Sequence, residues 1–312
     1  MSHYLVTGAA GFIGSHIAQK LVDNGHQVWT IDNLRTGDPH RIPDGVQWIQ
    51  GACQDDAAIA QLKNTRFDAV IHMAGQSSGQ ISFEDPLYDF QTNVEATVKL
   101  IEYALRTKSY RFMYASSMSV YGNVPDEPIA ESRAPKPISF YGIGKLASEH
   151  YLQMYAGKGL QPTAVRFFNV YGPNQNMNNL KQGMISIYLA QLLKNDKVVV
   201  KGALDRFRDF IYIHDVVDFA VAVLNDARAV NGVFNCGTGV KTTVDDLLKK
   251  LMRISGIKKE IVQEGSTPGD QKGIYADMTL SQKTFGFKPK TSLDTGLEAM
   301  IEWAKTTAWS LT

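Results

Sequence analysis

Cysteine is scarce in this chain. The two residues, Cys53 and Cys236, lie far apart, with neither the paired spacing of a zinc ligand set nor the density of a disulfide scaffold. A fold stapled by cystine is excluded, and a reducing compartment, the cytoplasm, is expected. Long apolar runs are missing too. No stretch approaches the roughly 20 residues that cross a bilayer, and the N-terminus lacks the basic region, apolar stretch and cleavage site of a leader. There is no surplus of charge: Lys plus Arg is 32 against 31 for Asp plus Glu, a formal net charge of +1. With no block of one sign, neither nucleic acid nor a membrane is expected as a partner. Hydrophobic residues make up 44% and charged residues 20%, which excludes a disordered chain. The 312 residues leave room for two domains, or one large one with an appended part.

What is present is an alternation. Short aliphatic and β-branched runs (HYLVT, QVWTID, VQWI, AVIHMA, RFMYASS, TAVRFF) are separated by segments of helical period. This is the pattern of βαβ units on a parallel sheet. Helices are predicted over 12–24, closed by Gly25, and over 87–106 and 142–155. The fold class is therefore α/β, a doubly wound parallel sheet of Rossmann type with a smaller C-terminal α/β lobe for substrate. The predicted division is 1–170 for the dinucleotide domain, with a return near 210–240, and 171–312 for the lobe. After Asn169 the rhythm gives way to VYGPNQNMNNLKQG, a long loop rich in Gly, Pro and Asn. Beyond it come predicted helices over 184–195, 244–254 and 295–305, a strand VVVK, and the segment RFRDFIYIHDVV.

Gly8-Ala-Ala-Gly11-Phe12-Ile13-Gly14 directly follows a strand and opens a helix. Glycines there let the backbone turn tightly and approach a pyrophosphate, whose charge sits on the exposed N–H groups of the helix end. Asp32 ends the second strand, where a carboxylate accepts from ribose hydroxyls and repels a 2′-phosphate. NAD is thus expected over NADP, with Arg35 close by; a carboxylate that only caps the turn is the competing reading. Tyr141 and Lys145 stand one helical turn apart, so a cation can favour the phenolate. Two solvent-facing helix residues would give the same spacing. The serine run 116–119 ends the fifth strand at its carboxyl edge, where open α/β sheets bind their ligands. His72 is expected in the core, His214 as a helix cap, and no metal is assigned.

With these motifs the chain resembles the extended short-chain dehydrogenase/reductase superfamily, specifically its NAD-dependent sugar-nucleotide epimerases and dehydratases. VIHMAGQ, QTNVEAT, RFFNVYGP, RDFIYIHDVV and PGDQKGIYAD carry the resemblance further. It implies that NAD⁺ takes a hydride from C4 of a nucleotide sugar while Tyr141 takes the hydroxyl proton, leaving a transient 4-keto sugar that turns over before reduction. By motif position, Ser117 bonds the reacting oxygen, Lys145 holds the nicotinamide ribose and tunes Tyr141, and Ser119 assists near the sugar. Gly8, Gly11, Phe12, Ile13, Gly14, Asp32, Asn33, Ala52, Cys53, Met73, Ala74, Gly75, Asn93, Ser116 and Phe168 line the cofactor site. Gln76 and Ser78, in a loop with Ser77, face the sugar, and Asn169 and Arg208 bind the diphosphate. A homodimer through the helices at 87–106 and 142–155 is also implied.

Dehydratases of the family carry an acidic residue just after the serine or threonine, where this chain has Met118 and Ser119. Neither serves as a carboxyl acid, so dehydration is disfavoured. Other departures bear on substrate. The third strand ends Gly51-Ala52-Cys53 without the usual acid, Lys201 replaces an aromatic before Gly202, and Thr267 stands where an Arg is common. Arg206 is an added cation two residues from Arg208 and an expected substrate contact. The expected activity is nucleotide-sugar 4-epimerisation. A ketosugar reductase, or an epimerase of another centre on a GDP-, dTDP- or CDP-sugar, is the alternative. A non-catalytic dinucleotide sensor is remote.

Overall fold

Seven parallel strands form the central sheet: β1 (His3–Thr7), β2 (Gln27–Asp32), β3 (Gln47–Gln50), β4 (Ala69–His72), β5 (Arg111–Ser117), β6 (Gln161–Phe167) and β7 (Gly232–Cys236). Their order is β7-β6-β5-β4-β1-β2-β3. The computed structural model describes residues 1–266 and 271–307. The central strands are short and largely buried because helices cover both faces, as the crossovers of a parallel sheet require, whereas edge strand β3, QWIQ, buries only Ile49. β1 lies between β2 and β4, pairing Leu5 with Trp29 on one side and Val70 on the other. The order reverses there, opening a crevice at the carboxyl ends of the strands.

The helices are α1 (Phe12–Asp23), α2 (Asp56–Ala60), α3 (Gly79–Glu84), α4 (Pro86–Phe90), α5 (Ala96–Arg106), α6 (Phe140–Ala156), α7 (Met184–Lys194), α8 (Ile213–Asn225), α9 (Val244–Ser255), α10 (Thr279–Phe285) and α11 (Leu293–Thr306). The single helix predicted over 87–106 is in fact α4 and α5 joined by a π turn, Gln91–Glu95. Hydrophobic spacing cannot register the one extra residue per turn. Leu5, Ile31, Val70, Leu100 and Phe112 form a core under one face, while Val6, Ile17, Ile71, Val165 and Phe219 join the larger core with the C-terminal helices.

Outside the sheet, three short pairs order the later chain: Asn169–Tyr171 with Phe210–Tyr212, Phe207–Arg208 with Thr242–Thr243, and Lys197–Val200 with Glu260–Gln263. RFRDFIYIHDVV thus supplies two strands and the start of α8. His214 does not cap that helix. Tyr212 holds the cap position, and His214 lies in the first turn with its ring edge-on to Tyr212 at 5.1 Å. The helix begins at Ile213, two residues earlier than a His214 cap requires. No helix among the described residues is long and apolar enough to cross a membrane.

Candidate active site

The glycine turn after β1 closes on itself. Gly8 adopts φ +76°, and Gly11 donates its N–H to the Gly8 carbonyl at 3.0 Å. A Cβ on Gly14 would lie 2.2 Å from that carbonyl oxygen, and one on Gly8 2.9 Å from the Ala74 backbone. Only glycine lets α1 start this close to β1 and β4. Gly11 caps α1 without a side-chain bond, so the first-turn N–H groups stay available to an anion.

This turn floors a cleft of about 370 Å³ over the carboxyl ends of the strands, within the usual range for ligand sites. Gly8, Gly11, Phe12, Ile13, Gly14, Asp32, Asn33, Ala52, Cys53, Met73, Ala74, Gly75, Ser116, Ser117, Ser119, Tyr141, Lys145, Phe168 and Asn169 all line it. Asp32 accepts from the N–H groups of Ala10 at 3.0 Å and Leu34 at 2.8 Å. Burial pushes its carboxyl above the usual range and those two bonds pull it back. The carboxylate holds its turn through both oxygens, and Asp32 lies on the cleft lining. Burial pushes the Cys53 thiol up to about 12, so it presents a neutral contact and not a nucleophile.

Helix α6 carries Tyr141 and Lys145 on one face. Ser139 starts the helix by accepting from the Gly142 N–H at 3.1 Å. Lys145 reaches the end of β5, donating to the Ala115 carbonyl at 2.9 Å, with Nζ 4.9 Å from the Tyr114 ring centre and 5.7 Å from that of Tyr141. Ser117 lies with Tyr141 on the cleft lining and accepts from the Ser119 N–H at 3.1 Å. Burial pushes the phenol up to about 12, the neighbouring Ser117 hydroxyl opposing it and the Asp89 charge adding to it. The ammonium of Lys145 is pulled down to about 8 by burial, against the Asp89 charge. In the free protein Tyr141 is therefore protonated at neutral pH. Further positive charge in the cleft is what would draw it toward phenolate.

Beneath the serines lies a buried ion pair. Ser116 donates to Glu149, which takes Arg166 in a two-point bridge, Nε at 2.9 Å and Nη2 at 2.7 Å. Arg166 also sits 4.7 Å from the Tyr121 ring centre. His72 is held between the Thr7 and Thr97 hydroxyls at 2.8 and 3.2 Å, as a core histidine.

Five expected residues lie off the cleft lining. Gln76 and Ser78 are turned inward: Gln76 bonds Asp89 at 2.6 Å and the Ser78 backbone, and Ser78 caps α3 while donating to the Lys181 carbonyl. Ser77 is the member of that loop on the lining. Asn93, in the π turn, is buried behind the lining, donating to the Gln76 carbonyl at 3.0 Å and to Asp89 at 3.1 Å. Its Oδ1 is buried without a partner, 2.6 Å from where a Cβ on Gly75 would stand. Arg208 is buried, donating to the carbonyls of Phe207, Gln271 and Lys272, and Arg206 to that of Ala203. Thr267 and the start of PGDQKGIYAD lie outside the described residues.

Sequence reasoning missed other lining residues. Arg41 and Tyr88 are on the lining, the Tyr88 ring 3.8 Å from the Arg35 guanidinium. Asn176, Asn179 and Gln182 reach in from the Gly- and Asn-rich loop. That loop is tied across the cleft by Gln182 to Ser77 at 2.6 Å and by Lys181 to Glu84 at 2.7 Å. Polar loops carry no periodicity to flag them.

The family model of the NAD dependent epimerase/dehydratase family matches residues 4–237. The chain belongs to that family. Its cofactor is NAD, and the glycine cradle, the open end of α1 and Asp32 fit a dinucleotide. A putative UDP-glucose 4-epimerase of Methanocaldococcus jannaschii is 32% identical over 96% of this chain and 98% of its own. A UDP-glucose 4-epimerase of Thermotoga maritima, solved with UDP-glucose, superposes with a TM-score of 0.93 at 34% identity, covering 97% of this chain and 98% of that one. A UDP-glucuronic acid 4-epimerase of Bacillus cereus, solved with UDP-glucuronic acid and NAD, superposes at 0.89 and 29% identity over 97% of this chain and 99% of its own.

Proposed function

We propose that this protein is a nucleotide-sugar 4-epimerase acting on a UDP-hexose. The observation that carries the reading is that Ser117, Tyr141 and Lys145 line the same cleft as the glycine turn. Bound NAD supplies the two-electron oxidation of a sugar carbinol and its reversal. The chain supplies the proton chemistry. Tyr141 takes the hydroxyl proton at its phenolic oxygen and returns it, as a positioned general base and acid. Ser117 holds both that phenol and the reacting oxygen. Lys145 supplies a positive charge in a dry pocket, where it acts more strongly on the phenol than it would in water. Asn169 and Ser119, both on the lining, are the proposed sugar-nucleotide contacts; Gln76, Ser78, Arg206 and Arg208 serve as supporting structure. Asn93 completes the wall behind the cofactor.

Met118 and Ser119 favour epimerisation over dehydration, since neither donates a proton to a leaving hydroxyl as a carboxylic acid does. A homodimer is part of the proposal. Leu87, Phe90, Phe140, Ile143 and Met154 are exposed across α4 and α6, Ile143 at 52% and Met154 at 76%, an apolar surface that suits association with a second copy.

The deciding experiment is incubation with a panel of UDP-, GDP-, dTDP- and CDP-sugars, with products resolved by chromatography and mass spectrometry. A UDP-sugar product of unchanged mass and altered retention is expected. Loss of water would refute the reading of Met118 and Ser119. No conversion of any UDP-sugar would refute the proposed activity.

A further inference from the structure

Asp89, on α4, is 1% exposed, and the chemistry proposed above does not use it. A carboxylate held that deep must be partnered. Its Oδ1 accepts from Gln76 Nε2 at 2.6 Å and from Asn93 Nδ2 at 3.1 Å. Its Oδ2 faces α6, 3.3 Å from where a Cβ on Gly144 would stand, one residue before Lys145. Gly75, in the loop that Gln76 anchors, is flanked by Asn93 Oδ1 and Lys145 Nζ, the latter 3.5 Å from its would-be Cβ. Asp89 therefore grips Asn93, whose Oδ1 stands with Lys145 Nζ around Gly75, and Gln76, the residue that follows Gly75.

The other titratable groups around Lys145 are Tyr141 on its own helix, Tyr114 on β5 and His72 on β4, which burial holds neutral with its pKa near 3. Glu149, one turn on, is committed to Arg166. Among the described ion pairs none involves Asp89; burial pushes its carboxyl up, and the charge of Lys145, on the far side of the Gly75–Asn93 wall, is among the influences that pull it back.

We propose that Asp89 is a positioning residue for Lys145: its carboxylate is the buried counter-charge of the ammonium, and its grip on Gln76 and Asn93 fixes the wall behind it. The inference rests on Lys145 being part of the reacting set. Burial alone pulls the lysine down and Asp89 holds it up at about 8. Without the carboxylate, Lys145 gives up its proton at lower pH and its charged form retreats toward acid.

Asp89→Asn tests this, because the amide oxygen still accepts from Gln76 and Asn93 while the charge is gone. In the NAD-loaded protein, the titration midpoint of Lys145, read by 13Cε NMR and assigned with Lys145→Met, should fall by about one pH unit, the low end of the effect of a nearby opposite charge. At pH 8 the charged fraction then drops from about half to about a tenth. Turnover should fall about fivefold at pH 8 and hardly at pH 6, and Asp89→Glu should move the midpoint back toward that of the wild type. An unmoved Lys145 midpoint, or a loss of turnover by one factor at every pH, would overturn the proposal. If the wild type turned over no UDP-sugar, the epimerase reading would fail and the Lys145 midpoint would still decide the role of Asp89.

Discussion

Replacing Glu149 with Gln should unfold this protein more readily than any change at its surface. The carboxylate and Arg166 meet through two bonds, at 2.9 and 2.7 Å, with side chains only 3% and 5% exposed. A guanidinium cannot shed its proton under these conditions, so Glu149→Gln leaves an uncompensated charge in the core. Breaking a buried pair from one side costs about 3–5 kcal/mol, and Ser116 loses its charged acceptor as well. Removing both charges is a different perturbation. Glu149→Leu with Arg166→Met exchanges an ion pair for apolar packing, which is often neutral or stabilising, and should recover most of the loss. Urea unfolding followed by circular dichroism, at matched NAD content because bound ligand itself stabilises, measures both. A single-variant cost under about 1 kcal/mol, or a double variant no more stable than the single, would refute the argument.

Tyr141→Phe should lower turnover by at least about 10²-fold, the low end for a positioned proton-transfer group, while NAD stays bound; full residual activity would remove Tyr141 from the reaction. Gly14→Ala should abolish NAD retention, because its Cβ would press on the Gly8 carbonyl; equilibrium dialysis against NAD checks this, and wild-type affinity would count against the cradle. His72 has its pKa lowered to about 3 by burial, from an ordinary 6.5, so between those values the unfolded chain binds the extra proton. Stability should therefore fall as pH drops through that window, and His72→Gln should remove that component from acid unfolding curves. Ile143→Glu, on the apolar face of α6, should yield a monomer by light scattering, and an unchanged dimer would place the interface elsewhere.

Much of the sheet was legible in the chain. HYLVT, QVWTID and RFMYASS become β1, β2 and β5 over the same residues, because β-branched and aromatic runs bounded by polar residues have few other ways to bury themselves. The glycine turn and the Tyr141–Lys145 spacing were legible for the same reason: each is local. The directions of Gln76, Ser78 and Arg208 were not. Those side chains answer to partners distant in sequence, Asp89, Lys181 and Gln271, and no local pattern encodes which way a loop side chain turns. β7 escaped because GVFNC is short and carries little periodicity, and it is fixed by pairing with β6, including Phe234 with Val165.

The π turn at Gln91–Glu95 carries a consequence for chain length. An α-helix advances about 100° per residue, so the surplus residue sets the rotational phase of α4 relative to α5. Deleting one residue there, Thr92 for example, would let the backbone settle into an unbroken α-helix with better local hydrogen bonding. The phase would then slip, swinging Asp89 away from Gln76 or turning the apolar side of α5 off the sheet. A helix that looks improved in isolation would belong to a worse protein, so spacing along this segment should tolerate substitution far better than loss or gain of a residue.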